Sequence, residues 1–282
     1  MAAVPTSLRA LYREGRLIPF VGAGVFLSVS WEGGARHGVS WSALVDEAAR
    51  QLGHDPDLLR SRGTDLQILE YFRLRTGEDG LMRLRDWFRA SMSPPDDALL
   101  ASPILQALAK MDRCRTVYTT NYDNFIERAL ELAGRRYARI TIEEDQVRKY
   151  IDDPESTSVD VVKFHGDLNL PSKMVLSEND YDGRMKFLTM EDKRFQSDLV
   201  ARALLFIGYS FRDYNVSYLF RTINEGWGPL PESPDGKRAY ILLPDPSDFE
   251  HRLFRSRNIE IVPIDSLNPT SSAAEALEDI IA

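Results

Sequence analysis

From Arg115 onward, short apolar runs alternate with stretches of helical periodicity, and this alternation narrows the fold more than any other feature of the chain. Strands are predicted at 115–119, 159–164, 203–208, 238–243 and 258–263, with helices at 122–133, 191–202, 213–225 and 269–281. Strands joined through helices run parallel, and the helices then cover both faces of the sheet. An earlier apolar strand, 16–21, runs into Gly22-Ala23-Gly24. The expected class is α/β, a doubly wound and mostly parallel Rossmann-like sheet.

The stretch between that first strand and Arg115 has a different texture. Thr6 or Ser7 can cap a short helix through Tyr12, and Ser40 can cap another that carries apolar residues to Leu52. Residues 32–38 are glycine-rich and read as a loop, a candidate for a mobile cover. Residues 56–110 read as helical throughout, with segments Asp65–Leu74, Gly80–Ser91 and Ala98–Lys110 broken at Gly77 and at Ser93-Pro94-Pro95. The 282 residues, 43% of them hydrophobic, suit a single domain with an all-helical insertion at about 56–110. Residues 143–158 read as an exposed loop.

Net charge of −8 argues against a mainly electrostatic nucleic-acid binder, although Arg60 to Arg89 leaves room for a local basic patch. One cysteine, Cys114, excludes an internal disulfide framework and any Cys₄ or Cys₂His₂ zinc module, so no metal is expected. The residue itself reads as a buried bystander. No window reaches 18 uninterrupted apolar residues, and the first residues lack a signal-peptide pattern. The expectation is a cytoplasmic protein with neither membrane nor direct nucleic-acid contact.

Chemistry concentrates just past the strand ends, where open α/β sheets build their crevices. Glycines at 22 and 24 let backbone approach a pyrophosphate and leave N–H groups to bind it, or they serve a turn needing positive φ. In Thr120-Asn121-Tyr122-Asp123, the Asn121 amide either caps the following helix or orients a ribose hydroxyl or water. His165, in Lys163-Phe164-His165-Gly166, is either a core histidine or an imidazole able to take a proton near neutral pH. Gly166 would leave space beside it. Gly208-Tyr209-Ser210 offers room for a nucleoside, while Ser210 or Asp213 could instead start a helix.

In this order the segments resemble the sirtuin superfamily, and within it the bacterial sirtuin-like NAD-hydrolase branch. Gly22-Ala23-Gly24 is similar to the family's phosphate-binding GAG. Thr120-Asn121-Tyr122-Asp123 resembles its TQNxD segment, with Thr120 in place of Gln. Lys163-Phe164-His165-Gly166 resembles K-[LF]-H-G, whose His is catalytic, and Gly208-Tyr209-Ser210 resembles the GTS that holds the adenosine half of NAD. Val175 to Tyr181 is similar to a stretch after the histidine in the bacterial branch.

The resemblance implies NAD as substrate, His165 and Asn121 as catalytic residues, and Gly22, Ala23, Gly24, Thr120, Asp123, Gly166, Gly208, Tyr209 and Ser210 as its binding residues. Asp123 would steady its loop or the developing positive charge. Two departures matter. The chain cannot build the four-cysteine zinc ribbon of protein-deacylating members, and Val39 to Leu44 stands where those carry Gly-Ile-Pro-Asp-Phe-Arg. Both favour water over acyl-lysine as acceptor, hence hydrolysis to nicotinamide and ADP-ribose in an antiphage effector. A deacylase or ADP-ribosyltransferase, or a non-catalytic nucleotide sensor, is the alternative. By the same analogy the chain forms a homo-oligomer, with a HerA-like ATPase or a short Argonaute as possible partner.

Overall fold

The computed structural model describes residues 4–152, 157–170, 173–184, 189–209, 218 and 237–282. Seven parallel strands form the central sheet: β1 (Leu17–Val21), β4 (Thr116–Thr119), β5 (Tyr137–Ile140), β6 (Val159–Lys163), β7 (Ala203–Ile207), β8 (Ala239–Pro244) and β9 (Ile259–Ile264). Their order is β5-β6-β4-β1-β7-β8-β9. From β1 the chain passes to β4, crosses to the edge at β5 and returns to place β6 between them, then builds outward on the other side to β7, β8 and β9. The direction reverses between β1 and β7, the switch point at which such sheets open a crevice.

Alternation along each strand sends its side chains to two distinct cores. Leu17 and Val21 of β1, Val159 and Val161 of β6, and Leu205 and Ile207 of β7 face the larger one. It is completed by α1 (Thr6–Arg13), α3 (Trp41–Gln51), the helices between β1 and β4, α8 (Phe125–Leu132), and the C-terminal helix Pro269–Ile281. Phe20, Tyr118, Val162, Phe164 and Phe206 face the other, covered by Phe195 and Leu199 of the helix Met190–Ala201 and Phe254 of the helix Asp248–Ser256. Pro19 sits in the middle of this sheet without an N–H. Gly22 donates to Ile207, so Pro19, three positions earlier, presents its nitrogen toward β4, where pairing begins only at Phe20.

All five later strands sit within two residues of their predicted bounds, and the helices at 190–201 and 269–281 match as well. The helix predicted at 213–225 falls outside the described residues apart from Tyr218. Three readings are corrected. Residues 137–140 form an edge strand, missed because its half-exposed Tyr-Ala-Arg-Ile lacks a continuous apolar run. Most of the loop placed at 143–158 is helix α9 (Glu143–Asp152). Residues 32–38 fold into a tight hairpin, with β2 (Ser30–Trp31) paired to β3 (Arg36–His37) and the Arg36 guanidinium 5.5 Å above the Trp31 ring.

Residues 56–110 carry only helices, α4 (Pro56–Arg60), α5 (Asp65–Ser91), α6 (Asp96–Leu100) and α7 (Pro103–Lys110). The single helix predicted at 98–110 is split where Ser102 caps a new start and Pro103 occupies its first turn. Four arginines of this region pair with carboxylates: Arg60 with Asp46 and Asp65, Arg73 with Glu70, Arg85 with Glu78, and Arg89 with Asp86. Gly77 breaks α5 with φ +66° and ψ −167°, a conformation open essentially to glycine alone. Gly77→Ala should therefore cost about 1–3 kcal/mol, although a methyl there meets nothing within 4 Å. Urea unfolding of the variant against the parent checks this.

Candidate active site

The ends of β1, β4, β6 and β7 meet along one rim of the sheet. At about 4.8 Å per strand, the three steps from β7 to β6 span roughly 14 Å. At the β1–β7 step the backbones nearly touch. Gly22 and Gly24 donate their N–H groups to the carbonyls of Ile207 (2.9 Å) and Gly208 (2.8 Å). A Cβ on Gly22 would lie 2.5 Å from the Gly208 oxygen, and one on Gly24 would lie 2.9 Å from the Gly208 Cα. Gly208 itself has φ +60°. Gly22 has φ −107°, so close approach, not a left-handed turn, requires glycine there. The exposed members of this loop are Ala23 and Gly24.

Asn121 is drawn to the same corner. Thr119 donates its hydroxyl to the Val21 carbonyl and accepts the Asn121 N–H, while the Asn121 amide donates to the Gly22 carbonyl at 3.1 Å. The side chain is 5% exposed and does not cap α8. That helix starts at Phe125, whose N–H is accepted by the Asp123 carboxylate. Thr120, half-buried, separates the two stitched residues.

His165 is 3% exposed at the end of β6. Its carbonyl accepts the Val175 N–H, and its ring lies between two tyrosines, with centroids 6.2 Å from Tyr122 and 5.1 Å from Tyr181. The Tyr181 hydroxyl is 3.5 Å from Nδ1. Gly166 has φ +89°, and a Cβ there would collide with the Lys173 carbonyl. The glycine is thus needed for the sharp corner that brings residues 173–175 over the strand end.

Beneath the imidazole, on the same face of β6, lies Lys163. The residue is 1% exposed, and its ammonium donates to Asp167 (2.6 Å), Glu127 (3.1 Å) and the carbonyls of Tyr122 and Asp123. Burial by itself would lower its pKa, but the charges of Glu127, Asp167 and Asp123 outweigh burial and raise it. Asp123 goes the other way from an ordinary carboxylate. Burial pushes it up to about 6 against the pull of Lys163, and its Oδ2 has no hydrogen-bond partner among the described residues. The sequence reading gave no role to Lys163, Glu127, Asp167 or Tyr181. A lysine inside the run Val159-Asp160-Val161-Val162-Lys163-Phe164 was the available signal, because a fully buried strand tolerates a charge only if partners await it.

Tyr209 and Cys114 both carry buried side chains. The Tyr209 ring turns into the aromatic core, 5.4 Å from Phe206 and 5.2 Å from Phe20, while Ser210 lies outside the described residues. Cys114 is buried, and burial pushes its thiol up to about 12, far from a nucleophile's range. Among the described residues no cluster of three or more His, Cys, Asp or Glu is disposed to hold a metal ion, and no helix is long and apolar enough to cross a membrane.

The SIR2-like domain profile matches residues 115–262, the stretch carrying Asn121, His165 and Gly208. The chain belongs to the SIR2-like family. It is 26% identical, over 93% of its length, to the NAD(+) hydrolase ThsA of Bacillus cereus, covering 54% of that protein. It is 28% identical to the ThsA NAD(+) hydrolase of Cytobacillus dafuensis, over 84% of this chain and 42% of the relative. It is also 26% identical to the defense-associated sirtuin 2 of Bacillus subtilis, over 90% of this chain and 24% of that protein. The chain thus spans about half, or less, of the curated relatives it matches.

Two outcomes follow from the buried charges. Lys163→Met strands Glu127 and Asp167 and should cost about 3–5 kcal/mol, read as a lowered urea midpoint. Asp123 binds its proton more tightly folded than unfolded. Its contribution to stability is therefore complete below the usual 3.8 and lost as pH rises through about 6. Asp123→Asn, which keeps an oxygen for the Phe125 N–H, should flatten the fall in Tm across that window, as followed by calorimetry.

Proposed function

We propose that this protein cleaves the bond between nicotinamide and ribose in NAD, with water as acceptor, giving nicotinamide and ADP-ribose. The observation that carries this reading is the arrangement on one rim of four strand ends in spatial order. Gly208 stands at β7, the Gly22–Gly24 loop at β1, Asn121 at β4 and His165 at β6. The names of the relatives, NAD(+) hydrolase and defense-associated sirtuin, agree with it.

The adenosine half would lie toward Gly208, the pyrophosphate over Ala23 and Gly24, and the nicotinamide ribose between Asn121 and His165. Nicotinamide leaves as a neutral ring taking the C–N electron pair, so no acid is needed for departure. The demand is on the electron-poor ribose and on a positioned water. Water forms the new C–O bond, and His165 accepts its proton. Asn121, already anchored to Gly22, orients the ribose or the water. Asp123, beneath this corner, steadies the loop. Depletion of NAD in a defence response is the role this activity would serve. We place that role in the cytoplasm, with the chain assembled with copies of itself or with a partner ATPase or Argonaute.

His165→Ala should lower nicotinamide release from NAD at least roughly 100-fold while keeping the circular-dichroism spectrum and the cooperative urea transition of a folded protein. Asn121→Ala should also lose most turnover. Normal release by either folded variant would sink the assignment. Incubation with NAD alone, and then with an acylated peptide, separates hydrolysis from deacylation: consumption only with peptide would favour the deacylase.

A further inference from the structure

Two tyrosines flank the His165 imidazole, and their hydroxyls have different commitments. Tyr122 donates to the Val175 carbonyl at 2.6 Å. Tyr181 directs its hydroxyl at Nδ1 of His165, 3.5 Å away. Tyr181 sits on the short helix Glu178–Arg184, and the turn leading into that helix is held by Asp180, whose carboxylate accepts the N–H groups of Leu176 and Ser177 at 3.1 and 3.0 Å. Trp41, at the start of α3, packs edge-on against the Tyr181 ring with centroids 6.4 Å apart. The phenol is thereby braced from two elements.

We propose that Tyr181 is the positioning residue of His165: its phenol oxygen accepts the Nδ1 proton and leaves Nε2 unprotonated toward the crevice. This rests on the NAD-cleaving reading above. A neutral imidazole carries one proton, and the partner of one nitrogen decides what the other can do. The two nitrogens diverge, so turning Nδ1 to Tyr181 turns Nε2 away from it. Were the proton on Nε2, the ring could donate to the ribose or water but could not accept from it.

A phenol oxygen suits a base that must recycle. It is neutral, so it fixes the tautomer without stabilising imidazolium as a carboxylate would, and the proton taken from water is released after each turnover. The separation of 3.5 Å is at the outer limit of a hydrogen bond, and such contacts run long in ligand-free sites and tighten when substrate binds. The step balances without another reactant. Water gains its bond to the ribose carbon, the C–N pair departs with nicotinamide, and the water's proton goes to Nε2.

The test is Tyr181→Phe in the full chain, which keeps the ring packing against Trp41. The chain has four histidines, so ¹⁵N NMR of the imidazoles is tractable, with His165 assigned by its loss in His165→Gln. The parent should show His165 protonated at Nδ1. The variant should shift toward protonation at Nε2, with kcat for nicotinamide release down roughly 10- to 100-fold and KM for NAD within about twofold. Protonation at Nε2 in the parent, an unchanged tautomer in the variant, or a shifted tautomer at unchanged kcat would each overturn the inference. If the parent releases no nicotinamide from NAD, the underlying function fails first. If the parent is active and Tyr181→Phe matches it, only the inference fails.

Discussion

The buried ammonium of Lys163 is the interaction on which the rest of the site depends. Taking such a charge out of water costs several kcal/mol, and only well-placed partners offset that. Here the partners come from three places: Glu127 on α8, the Tyr122 and Asp123 carbonyls on the loop before it, and Asp167 beyond the corner at Gly166. One atom therefore lashes the loop after β4 to the loop after β6. Asn121 belongs to the first and His165 to the second, so one buried ammonium ties together the two loops that carry them.

The opposite face of the same strands is held by a different force. Phe20, Tyr118, Phe164 and Phe206, one from each of four adjacent strand regions, pack with Phe195 in a continuous aromatic layer, with ring centroids 4.9 to 6.4 Å apart. These strands are the ones whose ends carry the site. Edge-on and offset aromatic contacts are directional as well as apolar, which fixes strand register more closely than aliphatic packing alone. Charge on one face and aromatic packing on the other thus act at the same end of the sheet.

Much of this was legible in the sequence, and what was not has identifiable reasons. The buried strands announced themselves through short runs rich in Val, Ile, Leu and Phe, and Gly77 and the pair Pro94-Pro95 marked helix breaks. The edge strand at Tyr137 and helix α9 did not, because a half-exposed element leaves no strong apolar period. Asn121 looked like a helix cap because Asn favours that position. Only the fold reveals that its amide faces a carbonyl nearly a hundred residues earlier, while Asp123 serves the helix. Gly22 and Gly166 were both recognised as special. Their reasons are, respectively, a backbone crossing and a left-handed corner, and neither is visible until the facing strand or loop is in place.

The crossing of Gly22 and Gly24 with Gly208 divides the rim into halves of unequal stiffness. On the β1–β7 side, two amide-to-carbonyl bonds and three glycines without room for a methyl weld the loops to each other, so neither can move without dragging a central strand. On the β6 side, the imidazole meets Tyr181 of the short helix Glu178–Arg184, and the His165 carbonyl takes the Val175 N–H from the loop before it. Adjustment to whatever occupies the rim falls to that second half. The first acts as an anvil, fixed in place by the strands on either side of it.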